Sequence, residues 1–299
     1  MNTLIERIAA GEILVSDGAM GTFLQAKGLA SGECPESWSI SHPEVVRAIA
    51  EAYVAAGSDI IGTNSFGGNA LKLAGFNLDG KAREFNRAAA ALAKAAMGSH
   101  GYVAGSVGPT GKLLIEEGGD ATAAEFYAAF KTQIEALTEG GADLICIETM
   151  SSLREAVEAI NAARQNTQLP IVCTFAFEAR KKGLFTMLGV KPDRAAKEAV
   201  AAGADMVGAN CGNGIDGMIE VARQMRAAVA NVPILIQPNA GVPELRDGRT
   251  IFRESPEYMV SRVHELVAAG ANMVGGCCGT TPEHILAISR RVRTLVVKD

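Results

Sequence analysis

The sequence predicts an α/β fold, a single (β/α)8 TIM barrel that takes up residues 1–299 as one domain. Three observations lead to this prediction. Eight short apolar runs alternate with stretches of helical pattern. Four of these runs end the same repeated phrase, and a chain of 299 residues that is 48% hydrophobic is enough for one such barrel. A doubly wound open sheet is the alternative, but no G-x-G-x-x-G follows the first run.

The repeated phrase marks four of the predicted strands. Each copy begins as the end of a helix, turns at a glycine and continues as a run that is apolar on both faces, which is typical of buried parallel strands. The copies are "AAGSDIIGTNS" (55–65), "EGGADLICIET" (139–149), "AAGADMVGANC" (201–211) and "AAGANMVGGCC" (268–278).

The other four strands are predicted from runs that lack the phrase, namely "EILVSDGAMG", "YVAGSVGPT", "PIVCTFAFE" and "PILIQPNAG". The eight strands are predicted to end near Asp17, Asn64, Gly108, Glu148, Phe175, Cys211, Pro238 and Cys277. Helix starts are predicted as a capping box from Ser41 to Glu44, and as an N-cap at Thr281 followed by Pro282. The longest connection, 240–258, follows strand seven and is predicted to be an active-site flap.

Composition excludes several classes of protein. The formal net charge of −5 comes without a basic cluster, so a nucleic-acid partner is not expected. The apolar runs are too short to span a bilayer, and the first residues, "MNTLIERIAAGE", lack the apolar core of a signal peptide. We therefore expect a cytoplasmic protein whose cysteines are free thiols.

The ends of the predicted strands carry the reactive side chains. In barrels of this kind the active site lies where the C-terminal strand ends meet. The candidates there are Asp17, Asn64, Glu148, Cys211, Asn239, Cys277 and Cys278. Cys211 ends strand six and the cysteine pair ends strand eight, so that one strand separates them. Three thiolates suit Zn²⁺, and three protein ligands leave the open position that distinguishes a catalytic zinc from a structural one.

Alternatives to a zinc site remain open on the residues alone. Gly275, Gly276 and Gly279 allow the sharp turn that would bring both sulfurs of the pair to one ion. The same pair can form a vicinal disulfide or be two buried small residues, and the glycines can form the phosphate turn of an aldolase or isomerase barrel. Phosphate has no use for two thiols, however, and no lysine lies in the eight runs. The other cysteines, predicted to be small buried residues, are Cys34, Cys146 and Cys173.

Three motifs carry a resemblance to a known family. "DGAMGT" (17–22), "GANCG" (208–212) and "GGCCGTTPEHI" (275–285) resemble the zinc-dependent homocysteine S-methyltransferases, over nearly the whole chain and in the right order. The resemblance implies an enzyme of class EC 2.1.1 that activates homocysteine as a zinc thiolate and methylates it to methionine.

The resemblance also implies roles for individual residues of this chain. Cys211, Cys277 and Cys278 resemble the zinc ligands, and Asn239 resembles a fourth ligand used when the substrate is absent. Two carboxylates resemble the groups that hold the amino group of homocysteine, namely Asp17 and Glu148. The backbone at Gly21 and Thr22 is the expected seat of its carboxylate.

The methyl donor is the open part of the resemblance. Thr149 follows Glu148 as in methionine synthases, and two glycines follow Phe66 where betaine-using relatives carry a tyrosine. Aromatic residues for an ammonium cage are scarce, no D-x-H-x-x-G corrinoid motif occurs, and 299 residues leave no room for a corrinoid domain. We therefore expect methylcobalamin, bound to a separate corrinoid protein, as the donor. The candidate donor-side residues are Asn64, Phe66 and Trp38.

Other functions and assemblies stay open at this point. S-methylmethionine or betaine can be the donor, and another small thiol can be the acceptor. In a non-enzymatic role, a zinc ion with four protein ligands would only stabilise the structure of one subunit of a methyltransferase complex. An oligomer is possible, since exposed and interfacial apolar residues look alike in a sequence.

Overall fold

A computed structural model describes residues 3–246 and 249–295 of the chain. Eight parallel strands, one for each predicted run, form a single sheet, and two hairpins are added to it. The barrel strands are β1 (Leu14–Val15), β2 (Ile60–Gly62), β3 (Tyr102–Val107), β4 (Leu144–Met150), β5 (Ile171–Phe175), β8 (Met206–Asn210), β9 (Ile234–Gln237) and β12 (Met273–Val274). The hairpins are β6 (Glu178–Arg180) with β7 (Gly183–Phe185), and β10 (Glu244–Arg246) with β11 (Arg249–Ile251).

The sheet closes on itself. Its order is β1-β12-β9-β8-β5-β4-β3-β2, and a parallel bridge between Ser16 and Ile60 joins the two ends. The predicted (β/α)8 barrel is therefore confirmed. β8 and β12 are separated by β9 alone, so the strands that precede Cys211 and the cysteine pair are near neighbours at the rim.

Helical segments surround the barrel and connect its strands. The α-helices are α1 (Leu4–Ala9), α2 (Gly21–Ala26), α3 (Trp38–Ser41), α4 (Pro43–Ala55), α5 (Ala70–Leu73), α6 (Ala82–Met97), α7 (Ala123–Glu139), α8 (Leu153–Asn166), α9 (Pro192–Ala202), α10 (Ile215–Ala228), α11 (Pro256–Ala268) and α12 (Pro282–Val292). Short 3₁₀ turns occur at Pro35–Ser37, Ala74–Phe76, Asp79–Lys81 and Ile115–Glu117. None of the helices in the described ranges is long and apolar enough to cross a membrane.

The lower part of the barrel is a packed core. Each barrel strand turns an apolar side chain inward, and Leu4 and Ile8 of α1 pack against this layer from below. The inward side chains are Leu14, Ile60, Tyr102, Leu144, Val172, Met206, Leu235 and Met273. Because apolar side chains fill this end, polar groups collect at the opposite end, where the strands finish.

The predicted helix starts have different outcomes. Thr281 is the N-cap of α12 and Pro282 is its first residue, as predicted. The capping box from Ser41 to Glu44 is wrong, because Ser41 is the last residue of α3 and its hydroxyl donates to Ser37 O at 3.2 Å. His42 precedes α4 instead, and its side chain makes no capping bond. Proline at the first position of α4 fixes the helix start without a side-chain cap.

The predicted strand ends are correct to within three residues. β4 runs two residues past Glu148, whereas β12 stops at Val274, three residues before Cys277. The cysteine pair therefore lies in the turn after the strand.

The long connection after β9 contains the hairpin β10–β11, of which residues 247–248 lie outside the described part. Its base packs beside the cysteine turn, since a Cβ at Gly279 would lie 2.3 Å from the Phe252 ring.

Candidate functional site

A cavity of about 320 Å³ opens at the C-terminal ends of the strands. Its floor is the apolar layer of the barrel, including Leu235 and Met273. Its upper wall is formed by residues that follow different strands, so distant parts of the sequence meet there. Among the predicted site residues, those that line it are Asp17, Gly21, Thr22, Asn64, Phe66, Glu148, Cys211, Cys277 and Cys278.

Three thiols converge on one side of this cavity. The sulfur atoms of Cys211 and Cys278 lie 3.9 Å apart, and all three sulfurs, with that of Cys277, lie within 4.8 Å of one another. A tetrahedral zinc site with Zn–S bonds of about 2.3 Å places its sulfur atoms about 3.8 Å apart. The cluster therefore has the dimensions of a metal site before any ion is considered.

Backbone conformation brings the thiols together. Cys211 adopts a left-handed φ of 60°, which is uncommon for a residue with a Cβ and turns its side chain inward at the end of β8. Gly212 follows at φ 75°, where a Cβ would lie 2.2 Å from the Phe177 carbonyl oxygen. The Cys277 amide donates to Pro238 O at 2.8 Å, and Cys278 O accepts from Ala240 at 3.0 Å. These bonds tie the cysteine turn to the end of β9.

The thiols also share charge. Hydrogen bonds from the Cys277 and Cys278 thiols lower the pKa of the Cys211 thiol. The resulting interaction with Cys211 raises the pKa of both partners. Of the three thiols, that of Cys211 is therefore the most readily ionised, and thiolates are the ligands that a soft cation prefers.

Two carboxyl groups lie on the wall beside the thiols. Asp17 Oδ2 accepts from the Gly62 amide at 2.7 Å, and Glu148 accepts from the Ser106 hydroxyl. Burial raises the pKa of Asp17 to about 6 and that of Glu148 to about 7. Neither carboxyl group forms an ion pair within the described ranges, so both are available to a cationic group that enters the cavity.

Asn210 links the carboxyl side to the thiol side, and the sequence analysis missed it. Its side-chain amide donates to Thr149 Oγ1 at 2.7 Å and approaches Glu148 Oε2 at 3.4 Å and Cys277 Sγ at 3.7 Å. Its oxygen accepts from the Thr149 amide and the Thr174 hydroxyl. Thr149 has a φ of 61°, so this network holds a strained residue at the end of β4. Position 210 precedes Cys211 in "GANCG", which was the available signal.

Asn239 lies behind the cysteines. It is 1% exposed, its side chain hydrogen-bonds Cys211, and its Oδ1 atom has no hydrogen-bond partner. A buried oxygen without a donor is costly unless another group satisfies it. The three thiols are a donor set that fits Zn²⁺, and Asn239 is the polar side chain beside them whose oxygen is unpartnered.

Of the remaining predicted site residues, all but one line the cavity. Gly21 and Thr22 open α2, whose N-cap Met20 provides no side-chain cap. Asn64 lines the cavity and donates to Pro35 O at 2.8 Å, while Phe66 stands at the rim with 40% of its surface exposed. The structure does not bring Trp38 to the cavity, because its ring stacks on His42 and its Nε1 donates to Glu33 at 2.7 Å. Trp38 is therefore not a wall of a donor cage.

All six cysteines are free thiols, so the adjacent pair forms no vicinal disulfide. Cys34, Cys146 and Cys173 are buried, as predicted.

Comparison with known proteins identifies related chains. The family model described as homocysteine S-methyltransferase matches residues 14–292. The methionine synthase of Mycobacterium tuberculosis is 29% identical over 306 residues, which is 96% of this chain and 25% of that protein. The methionine synthase of Mycobacterium leprae is 29% identical over 97% of this chain and 25% of its own length. The chain thus spans about a quarter of the length of these relatives.

A solved structure shares the fold. The metallated form of the homocysteine methyltransferase MmuM from Escherichia coli superposes with a TM-score of 0.80 at 23% identity. The match covers 97% of this chain and 100% of that one. At this level of identity the likeness concerns the barrel itself.

Proposed function

The chain belongs to the homocysteine S-methyltransferase family, and on this premise we propose that it methylates homocysteine to methionine with the help of a zinc ion. We further propose that the methyl group comes from a methylated corrinoid carried by a separate protein. The observation that carries the proposal is the cluster of three thiols within 4.8 Å of one another, open to a cavity that also holds two carboxyl groups.

Cys211, Cys277 and Cys278 would hold the zinc, and Asn239 would contribute its unpartnered oxygen when no thiol substrate is bound. Bound Zn²⁺ supplies Lewis-acid chemistry that lowers the pKa of the acceptor thiol and keeps its sulfur nucleophilic. The MmuM structure described as metallated supports a metal in a barrel of this fold.

The chain's own residues orient the acceptor. Asp17 and Glu148 would receive its ammonium group, and the amides at Gly21 and Thr22 would receive its carboxylate. The Asn210 amide lies 3.4 Å from Glu148 Oε2 and 3.7 Å from Cys277 Sγ, so it would help to set the distance between the ammonium and sulfur positions. Orientation of this kind turns a bimolecular encounter into a prearranged one.

The proposed methyl transfer forms one bond and breaks two. The acceptor thiol would release its proton to solvent, and its sulfur would form the new S–CH₃ bond with a lone pair. A methylated corrinoid would supply the methyl group as a cation and keep the electron pair of its cobalt–carbon bond, so that methionine, cob(I)alamin and one proton would be the products.

Exposed apolar side chains at the cavity end of the barrel favour a large methyl donor over a small one. Six exposed apolar side chains lie in the connections that follow β2, β3, β5 and β9, which all emerge at this end of the barrel. They are Phe66, Ile115, Met187, Leu188, Val242 and Leu245. Of these six, Phe66 lines the cavity itself, and exposed apolar side chains at such an end can form a surface on which another molecule docks. The relatives named methionine synthase support methionine as the product.

The non-enzymatic alternative is less well supported. A structural zinc is normally enclosed by four protein ligands. Here the thiols of Cys211, Cys277 and Cys278 line an open cavity instead, which leaves room for a substrate sulfur.

Donor choice is tested by supplying single donors to the zinc-loaded protein. We expect methionine to form from homocysteine and free methylcobalamin, with cob(I)alamin produced in equal amount. S-methylmethionine and betaine should give turnover at least about 100-fold slower, because no aromatic cage for an onium group lines the described cavity. Methionine is measured by mass spectrometry and cobalt by its absorption spectrum.

The control is the same protein after zinc has been removed with a chelator, which should be inactive with every donor. Rapid turnover of S-methylmethionine or betaine with no reaction of methylcobalamin would contradict the proposed donor.

A further inference from the structure

His284 lies between the cysteine turn and the long connection that follows β9. It is the third residue of α12, and only 7% of its surface is exposed. Its two ring nitrogens face different elements, since Nδ1 lies 3.1 Å from the Thr281 amide nitrogen and Nε2 lies 3.0 Å from the Glu254 carbonyl oxygen. The imidazole therefore joins the start of α12 to the end of the connection.

The two bonds fix how the imidazole is used. A backbone N–H can only donate, so Nδ1 accepts from Thr281, and Nε2 carries the proton that is donated to Glu254 O. A glutamate or glutamine at this helix position commonly provides the first of these bonds. A glutamate has no proton to donate to a carbonyl oxygen when it is ionised, so the second bond is the one for which the imidazole is suited.

A series of backbone hydrogen bonds continues from Glu254 to the cysteine turn. The Glu254 amide donates to Ala240 O at 2.9 Å, and the Ala240 amide donates to Cys278 O at 3.0 Å. The Glu254 side chain also accepts from the Ile215 amide at 3.2 Å, at the start of α10. The two ends of the connection are therefore bonded to each other and, through His284, to the helix that follows the cysteine turn.

The middle of the connection carries two side chains of the exposed apolar surface. Val242 and Leu245 are 61% and 80% exposed, and they lie beside and within the hairpin β10–β11. The proposed function assigns them to the surface on which the methyl donor docks. Because a hairpin moves with its base, their position relative to the thiols depends on the bonds at that base.

We propose that His284 is a positioning residue for the methyl donor: by donating to Glu254 O, it keeps the connection after β9 in register with the cysteine turn. This inference rests on the proposed function and adds to it a residue that bonds to the connection rather than to the thiols. The cysteine turn has bonds of its own, since the Thr280 hydroxyl donates to Cys277 O at 2.7 Å and the Cys277 amide donates to Pro238 O at 2.8 Å. Loss of the His284 donation should therefore weaken donor binding and leave the binding of zinc and homocysteine unchanged.

Two uncharged variants separate the two bonds of the imidazole. In His284→Asn the side-chain oxygen can replace Nδ1 as the acceptor for Thr281, but the side chain is too short to reach Glu254 O. In His284→Gln the side-chain amide can replace Nε2 and keep the donation to Glu254 O.

The kinetic test uses the zinc-loaded protein with homocysteine and methylcobalamin. KM for methylcobalamin should rise about 10-fold in His284→Asn and stay within about 3-fold of the wild-type value in His284→Gln, as expected for loss and retention of one buried hydrogen bond. KM for homocysteine and the zinc content per chain should be the same in both variants as in the wild type.

Hydrogen exchange of backbone amides measures the positioning without turnover. The Glu254 and Ala240 amides should exchange about 10-fold faster in His284→Asn than in the wild type, and at the wild-type rate in His284→Gln. A role in capping α12 alone predicts the opposite order, with the larger effect in His284→Gln, and that result would overturn the inference. Faster exchange in His284→Asn without a rise in KM for the donor would overturn it as well.

His264→Asn is the matched control. His264 is an exposed residue of α11 whose Nε2 lies 3.9 Å from Glu265 Oε1, so all readouts should equal those of the wild type. If the wild type transferred no methyl group from methylcobalamin, the proposed donor would be wrong, and KM would be compared with the donor that does react. The exchange rates would still decide whether His284 holds the connection.

Discussion

Cys278→Ala, and equally Cys277→Ala, is expected to abolish zinc binding and methyl transfer while the barrel stays folded. Each change removes one of the three sulfurs and leaves a pair that cannot hold the ion as three thiolates do. Loss of a group that merely supports a ligand already costs 10-fold to 100-fold in metal affinity or activity, so loss of a ligand should cost at least about 100-fold.

The fold should survive because the turn does not depend on the thiols. The Cys277 amide bonds to Pro238 O, and Cys278 O accepts from Ala240, and neither bond uses a sulfur. Zinc per chain, methionine formation and thermal unfolding followed by circular dichroism are the three readouts.

Cys173→Ala is the matched control. Cys173 is fully buried in β5, outside the cluster. The change should lower stability by about 1 kcal/mol through a small cavity and leave the zinc content unaltered. Full zinc occupancy and activity in Cys278→Ala would contradict the assignment of the ligands.

Glu148→Gln and Asp17→Asn are expected to weaken binding of homocysteine and to leave binding of zinc unchanged. Each replaces a carboxylate that would pair with the substrate ammonium by a neutral amide of nearly the same shape. Loss of one charge-assisted hydrogen bond of about 2 kcal/mol raises KM for homocysteine about 30-fold. Zinc content should stay at one per chain, because neither residue touches the ion in the proposed site. A fall in zinc content equal to the fall in activity would show that these residues serve the metal instead.

The pH dependence of the wild type follows from the same groups. Burial raises the pKa of Glu148 to about 7 and that of Asp17 to about 6. An ammonium group pairs only with the ionised carboxylates, so kcat/KM for homocysteine should be highest above pH 7 and fall as the pH drops through 7 and then 6. In Glu148→Gln the upper of these two steps should disappear. A profile that is unchanged in Glu148→Gln would argue that another group titrates.

The barrel could be predicted because its signal is repeated and local. Four copies of one helix–glycine–strand phrase and four matching apolar runs give eight units, and a buried parallel strand needs only such a run. The cysteines could be placed together because the eighth and sixth strands must lie two positions apart in a closed barrel. Asp17 and Glu148 followed from the family resemblance and their positions at strand ends.

What the sequence could not give depends on contacts between distant residues. Asn210 matters because its amide reaches Glu148, Thr149 and Cys277, which lie 61 to 67 residues away in the chain. Trp38 was predicted as a donor-side residue because a sequence does not show whether a tryptophan ring faces a cavity. In the structure its ring stacks on His42 instead. Glu36 could not be predicted as a cavity residue, because it lies in the 3₁₀ turn Pro35–Ser37, far in the sequence from any strand end.

The measurement that tests the central claim most directly is the X-ray absorption spectrum at the zinc edge, recorded before and after homocysteine is added. Three protein thiolates and one open position predict three sulfur neighbours and one oxygen or nitrogen neighbour before addition. After addition, a fourth sulfur should appear at about 2.3 Å as the oxygen or nitrogen neighbour is lost. A four-coordinate zinc whose sulfur count is the same with and without homocysteine would contradict the account.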